Sequence, residues 1–256
     1  MQYLIYAHTE TGNVRSHNED SVFAADRIIT SGSYETVSEP PFFVAVCDGV
    51  GGEKSGEIAS HIAVSEISQA SFGDTESFKG RISEIHEKIK AYGEENPKSK
   101  NLQTTLCCLV IDENEKAYCF NTGDSRLYFY ENGRAHQISK DHTYVQMLYE
   151  SGKITDYERS VHPQKYIITS SLGNPLEAPV IDVFDITEKM RGDNVIIICS
   201  DGISDYIGCI EIEAAMSLDI PFCEKIKALA ELALERGSKD NVSVAAAVLS
   251  TQKEAL

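Results

Sequence analysis

The residues of this chain best suited to chemistry are carboxylates placed where predicted strands begin or end. Asn18-Glu19-Asp20 precedes a strand-like run from Ser21 to Ala25, and Asp48-Gly49-Val50-Gly51-Gly52 follows the run that ends at Cys47. Asp124 lies in Thr122-Gly123-Asp124-Ser125-Arg126 between two strand-like segments. Ser200-Asp201-Gly202 follows Val195 to Cys199, and Lys239-Asp240-Asn241 precedes the strand beginning at Val242. A sheet aims such side chains rigidly, and glycine beside them lets backbone carbonyls approach a cation. Oxygen donors gathered in this way suit hard cations such as Mg²⁺ or Mn²⁺.

Taken singly, each aspartate reads first as a turn residue, because Asp-Gly is a common turn pair. Five strand-end carboxylate motifs in one chain, one of them followed by Gly-Gly, are more than turns require. Other residues fall away. Asp112 has a spacing reminiscent of a calcium loop, but the glycine and the terminal glutamate are missing, so it reads as a hairpin turn. Cys47 and Cys199 lack partners at zinc spacing and read as strand packing. Arg15 alone reads as a surface arginine.

The elements that must position these acids are short and β-rich. Phe42 to Cys47, Thr105 to Ile111, Lys116 to Asn121, Leu127 to Tyr130, Val195 to Cys199 and Val242 to Leu249 are rich in Val, Ile, Phe, Tyr and Cys and are bounded by turn residues. Asp112-Glu113-Asn114-Glu115 and Glu131-Asn132-Gly133-Arg134 read as hairpin turns, which implies largely antiparallel sheets. Three segments carry helical period. Ile58, Ile62, Ala63 and Ile67 share a face within Lys54 to Ala70, as do Phe78, Ile82, Ile85 and Ile89 within Glu76 to Tyr92. Ile226, Leu229, Ala230 and Ala233 do so within Pro221 to Glu235, with Pro221 near the helix start. Sheets covered by such helices make a layered sandwich of α+β class.

A chain of 256 residues can bury roughly three-quarters of its unfolded surface and needs no disulfide or metal merely to fold. No repeat, low-complexity tract or linker divides it, so one domain is expected. The formal net charge of −17 argues against nucleic acid or an anionic membrane as the main partner, since those contacts need clustered Lys and Arg. The N-terminal residues lack the basic flank of a signal peptide. The longest apolar runs have six residues, far short of the roughly 20 that cross a bilayer. The seven cysteines, with no Cys-x-x-Cys, read as buried free thiols of a reducing compartment, hence a soluble cytoplasmic protein.

In order along nearly the whole chain, the motifs resemble a metal-dependent serine/threonine phosphatase of the PP2C (PPM) family in its compact bacterial form. The resemblance runs from Gly12-Asn13-Val14-Arg15-Ser16-His17-Asn18-Glu19-Asp20 through Phe43 to Gly52, Gly56 to Ser60, and Thr104-Thr105-Leu106. It continues through Asn121 to Arg126, Lys140-Asp141-His142-Thr143, Gly152-Lys153-Ile154 and Leu172-Gly173, and closes with Cys199 to Gly202 and Lys239 to Val242. It implies a four-layer α-β-β-α sandwich, two mainly antiparallel sheets flanked by helix pairs, with a flap at about 140–165.

The resemblance further implies two Mn²⁺ or Mg²⁺ ions at one end of the sandwich. Asp48 is the bridging ligand on this reading, and the carbonyl of Gly49 binds the second ion. Asp201 and Asp240 hold the first ion, Glu19 and Asp20 act at the second, partly through waters, and Asp124 with Asp201 serves a weaker third ion. Arg15 grips the substrate phosphate. Two such ions lower the pKa of a shared water toward about 7, so that hydroxide attacks phosphorus in line. Cations at the site also reverse, locally, the repulsion that an acidic surface exerts on a phosphate.

Some positions depart from the family pattern. Many eukaryotic members carry a histidine after the Asp-Gly, where this chain has Val50, which cannot donate a proton; a metal-bound water, or a mobile histidine such as His142 or His162, is the expected substitute. Ser170 replaces an arginine common before the Leu-Gly pair. Thr143 to Pro163, with Tyr144, Met147, Tyr149 and Gly152, reads either as a substrate-selecting lid or as a simple capping helix and loop.

The function expected is hydrolysis of phosphoserine and phosphothreonine in proteins, opposing a bacterial kinase. The alternative is a catalytically silent pseudophosphatase that binds phosphoproteins, which the intact set of acids disfavours. A two-metal nuclease would need a basic track that the chain lacks. No heptad seam demands a dimer, so a monomer is expected.

Overall fold

The structure is a computed structural model and describes residues 1–50, 55–96, 101–190, 192 and 194–249. Gly51, Gly52 and Lys54 lie outside the described residues.

Fourteen strands are seen among the described residues, twelve of them in two six-stranded antiparallel sheets. In chain order they are β1 (Tyr3–Glu10), β2 (Ser21–Ala24), β3 (Arg27–Ile29), β4 (Gly32–Ser38), β5 (Phe42–Cys47), β6 (Gly49–Val50), β7 (Gln103–Thr104), β8 (Leu106–Ile111), β9 (Ala117–Thr122), β10 (Arg126–Glu131), β11 (Arg134–Gln137), β12 (Asp182–Asp185), β13 (Val195–Cys199) and β14 (Val242–Leu249). The first sheet has the order β11-β10-β13-β14-β1-β4 and the second β12-β9-β8-β5-β2-β3. The helices are α1 (Ser55–Ser68), α2 (Thr75–Glu95), α3 (Tyr144–Glu150), α4 (Asp156–Val161), α5 (Asp201–Ser204), α6 (Cys209–Met216) and α7 (Phe222–Glu235).

The sheets face each other across a buried apolar layer that includes Ile5, Val46, Leu109, Ile196, Ile198 and Ala245. Strands covered on both faces need no polar alternation, which is why β5, β8 and β13 are buried along their whole length. The stripe Phe78, Ile82, Ile85 and Ile89 of α2 packs with α1 on the second sheet. The stripe Ile226, Leu229, Ala230 and Ala233 of α7 packs with α6 on the first. The expected α+β sandwich of four layers is therefore the observed one.

Several details differ from expectation. On α1 the buried face is Ala59, Ala63, Val64 and Ile67, while Ile58 and Ile62 sit half-buried at its margin. The face is rotated because the small Ala59 and Ala63 let the helix approach the sheet closely. Pro221 occupies the position just before α7 and not its first turn. Both anticipated hairpins are present, with β8 joined to β9 and β10 to β11. All seven cysteines are free thiols; five are buried, whereas Cys209 and Cys223 are half-exposed. None of the described helices is long and apolar enough to cross a membrane.

The segment around α3 and α4 leaves the sheets on a paired stem. The Tyr144 amide donates to the Ile167 carbonyl at 2.9 Å, and the Thr169 amide to the His142 carbonyl at 2.8 Å. Thr143 caps α3, and Thr155 with Glu158 forms a capping box at α4, so each short helix has its own start signal. Arg159 joins the two, bonding Gln146 of α3 and Asp156 of α4.

Candidate functional site

Asp20, Asp48, Asp124, Asp201 and Asp240 lie at one end of the sandwich, brought there by both sheets. Asp48 follows β5 and is held by its backbone: its amide donates to the Thr105 hydroxyl at 2.9 Å, and its carbonyl accepts from the Thr104 hydroxyl at 2.9 Å. Thr105 in turn bonds the Ser125 hydroxyl at 2.7 Å, which ties Asp48 to the Asp124 turn. Asp201 begins α5 directly after β13, and Asp240 lies just before β14.

The loop of residues 11–20 carries Arg15, Glu19 and Asp20, and two asparagines stitch it in place. Asn241 accepts from the Glu19 amide at 2.8 Å and donates to the carbonyls of Thr11 and His17 at 2.9 and 3.0 Å. Asn18 donates to the Thr9 hydroxyl and the Thr30 carbonyl at 2.7 and 2.9 Å. Asp20 then accepts from the hydroxyls of Ser200 and Ser243 at 3.0 and 2.6 Å.

Two glycines make the close fit possible. A β-carbon on Gly49 would lie 2.2 Å from the Gly56 carbonyl oxygen and 2.5 Å from that of Glu19, and one on Gly202 would lie 1.9 Å from the carbonyl of Asn241. At both positions the missing side chain serves backbone-to-backbone packing around the acids.

The charges in this cluster oppose one another. Burial, then the neighbouring Asp20 and Asp201, push the Asp48 carboxyl well up from the aspartate range. Burial, then Asp201, does the same to Asp124. Asp20 is raised to about 7, by burial first and then by Asp201 and Asp240 against the two serine hydroxyls that lower it. Asp201 is raised to about 6 by burial and Asp240, while a hydrogen bond shared with Asp48 lowers it. Asp124 Oδ1 and Asp201 Oδ1 are buried without any hydrogen-bond partner. Orphaned carboxylate oxygens of this kind are costly unless something positive reaches them.

Among the described residues no three acidic, histidine or cysteine side chains converge as a ready-made metal cage. Asp240 is instead engaged by Arg15, whose Nη2 lies 2.6 Å from Asp240 Oδ2, and by the Asn241 amide. Glu19 meets His17 Nε2 at 3.2 Å. The fit to a cation therefore rests on the all-oxygen donor set and on the two orphaned oxygens, a chemistry that suits Mg²⁺ or Mn²⁺.

His142 sits elsewhere. Its Nδ1 accepts from the Gly123 amide at 3.2 Å and its Nε2 lies 3.3 Å from Asp182, so the ring braces the Asp124 turn. His162 accepts from the Gln164 amide within the flap. Neither is poised over the acids, and Val50 is half-exposed beside Gln103. Ser170 joins the Thr122 hydroxyl and the Val180 backbone, hydroxyl bonds where an arginine would place charge. Cys47 and Cys199 are packed in their strands, and burial pushes both thiols up, Cys199 to about 12.

Sequence reading gave no role to Thr104, Thr105, Ser125, Ser200, Ser243 or Asn241, although all lie within or beside the quoted motifs. Two cavities open at the same end. One, of about 150 Å³, is bordered by Asp124, Asp201, Asp205, Arg159 and Lys165. The other, of about 440 Å³, is bordered by Arg15, Asp201, Asp240, Tyr166 and Tyr206.

With this geometry in view, comparison with known proteins is decisive. The family model "Protein phosphatase 2C" matches residues 6–242. The chain is 32% identical over 249 residues to the serine/threonine protein phosphatase PstP of Mycobacterium tuberculosis, covering 94% of this chain and 44% of that protein. It thus spans under half the length of PstP. It is 30% identical over 247 residues to the protein phosphatase PhpP of Streptococcus pneumoniae, covering 93% and 94% of the two chains. The crystal structure of the catalytic domain of PstP in complex with two manganese ions superposes with a TM-score of 0.78 at 29% identity, over 98% of this chain and 100% of that one. The chain belongs to the protein phosphatase 2C family.

Proposed function

We propose that this protein hydrolyses phosphoserine and phosphothreonine in other proteins, with two Mn²⁺ or Mg²⁺ ions as cofactors. The observation that carries the reading is the group of mutually repelling carboxylates, two with orphaned oxygens, of which Asp201 and Asp240 line the cleft beside Arg15 and Asp124 lines the smaller cavity that shares Asp201 with it. The manganese ions of the PstP catalytic domain support it. Asp48, Asp201, Asp240, Asp20, Glu19 and the Gly49 carbonyl would hold the two ions, and Asp124 with Asp201 a weaker third. Divalent cations bound there supply Lewis acidity, which makes water nucleophilic at neutral pH.

The chain's own residues do the rest. Arg15 releases Asp240 and takes the phosphate oxygens with its planar fork, offsetting charge that grows in the transition state. Thr104 and Thr105 hold Asp48 at fixed height, so the acids need no rearrangement as substrate arrives. Neither His142 nor His162 faces the leaving oxygen, which leaves solvent in the cleft to protonate it.

On this reading the chain is one phosphatase domain with residues 140–165 as a flap at the cleft mouth. It acts as a cytoplasmic monomer opposing a serine/threonine kinase.

The test is phosphate release from phosphothreonine and phosphotyrosine peptides, with Mn²⁺ and with chelator, for the wild type and Asp48→Ala. Mn²⁺-dependent turnover of phosphothreonine, reduced at least about 10³-fold in Asp48→Ala, is expected. A wild type inert with every divalent ion would overturn catalysis and favour a phosphoprotein-binding role.

A further inference from the structure

The cleft beside Arg15 extends past the place for a phosphate to a wall that the reaction does not use. Besides Arg15, Asp201 and Asp240, its lining includes Val14, Tyr166 and Tyr206. Val14 and Tyr166 are 63% and 60% exposed, so their apolar surfaces are open to an occupant of the cleft. Tyr206 follows α5, with its amide bonded to the Ile203 carbonyl and its own carbonyl accepting from Arg236, each at 3.0 Å.

Tyr166 lies on the returning arm of the flap, yet it is anchored to the floor of the cleft. The Lys165 ammonium lies 4.7 Å from the Tyr166 ring centroid and pairs with Asp205 at 3.1 Å. Burial opposes the Lys165 charge, but Asp205 outweighs it and holds the ammonium above the usual lysine range. The Asp205 amide donates to the Asp201 carbonyl at 2.9 Å, so the ring is tied to the helix that begins with Asp201. Aromatic walls fixed in this way offer contact area at little entropic cost.

We propose that this part of the cleft is a specificity subsite for the residue next to the phosphorylated one, selecting a large apolar or aromatic side chain. Tyr166 and Tyr206 are its walls, and the Lys165–Asp205 pair positions Tyr166. The assignment rests on the phosphatase reading above, which places the phosphate at Arg15. Continuity with Arg15 makes the occupant a substrate residue. The rest of the lining is mostly charged, with Arg15 and Lys239 beside Asp201, Asp205 and Asp240, so the apolar contact area comes from Val14 and the two tyrosines.

The experiment compares kcat/KM, with Mn²⁺, for phosphothreonine peptides carrying Phe, Gly or Asp immediately before or after the phosphoresidue. A Phe-flanked peptide is expected to exceed its Gly counterpart about five- to tenfold, the worth of one aromatic contact. The ratio should fall toward one in Tyr166→Ala and Tyr206→Ala and persist in Tyr166→Phe. Lys165→Met should raise KM for the Phe peptide more than it lowers kcat, whereas a general folding fault would lower kcat. A wild-type ratio of one, a preference for Asp, or a ratio that survives both alanine variants would overturn the proposal. If the wild type hydrolyses none of the peptides, the phosphatase reading fails separately. The subsite is then decided by calorimetric affinities: tighter binding of the Phe peptide supports it, and equal affinities overturn it.

Discussion

Two groups of acids lie side by side in this molecule and are treated in opposite ways. Asp141, nearly buried, is surrounded by donors: Arg126 Nε and Nη2 reach its two oxygens at 2.7 to 3.1 Å, and Gln137 adds a bond of 2.9 Å. Arg126 is itself completed by the Ser204 carbonyl at 3.0 Å. Asp124, two residues before Arg126, has an orphaned oxygen, and so has Asp201. The first group is a finished ion pair that joins β10 to the base of the flap. The second feels Arg126 only at a distance, since the arginine gives its hydrogen bonds to Asp141 and not to Asp124 or Asp201. What separates the two is completion: Asp141 has its partners supplied by the chain, whereas Asp124 and Asp201 each keep a buried oxygen that no donor of the chain reaches.

The comparison can be broken most sharply from the completed side. Arg126→Met strands a buried Asp141, and urea unfolding should show a loss of about 3 kcal/mol, at the lower end for buried pairs because a fifth of the Arg126 side chain meets solvent. A loss below 1 kcal/mol would mean that the pair is ornamental. From the wanting side the sign reverses. Asp124→Asn, measured in chelator at pH 8, should stabilise the protein by on the order of 1 kcal/mol, because burial and Asp201 disfavour the charged carboxyl. The neutral amide relieves repulsion with Asp201 and offers it a donor.

The smallest effect is in the pH dependence. Asp20 and Asp201 are raised to about 7 and about 6 in the folded chain, against about 3.9 when unfolded. The folded state therefore binds more protons across that window. Their contribution to stability is complete below about pH 4 and is lost as pH rises through about 6 to 7. In chelator the melting temperature should carry this decline, while Mn²⁺ takes the place of the protons. The gap between melting curves with Mn²⁺ and with chelator should widen by a few degrees from pH 5 to pH 8. A constant gap would show that the cluster does not bind the ion through these acids.

Much of this was legible in the sequence, because local pattern carries it. The strands that end in Asp48, Asp124 and Asp201 announced themselves by β-branched runs stopping at turn residues, and α2 and α7 by their stripes. β1 did not. Tyr3–Glu10 pairs on both sides and is buried at seven of eight positions, so it shows no alternation to read. β4 is mostly polar and owes its place to β1, and the eight-residue α6 is too short to show a period.

The strand-end acids were likewise visible, but their partners were not. Arg15 with Asp240, and Asp20 with Ser243, are separated by more than 220 residues, and only the pairing of β1 with β14 brings them together. Asn241 could be quoted as part of a motif, yet its task of fastening the Arg15 loop is a tertiary fact.

The pairing of β1 with β14, Tyr3 opposite Leu249 through Glu10 opposite Val242, has a consequence for how the molecule comes into being. The centre of one sheet joins the first strand of the described residues to the last. Contacts of such long sequence separation are slow to form. Until β14 is made, β1 has one edge bare and Asp240 has not arrived. A ribosome-bound chain therefore carries most of its acids but not the cleft they line, and the site assembles only as synthesis of this segment ends.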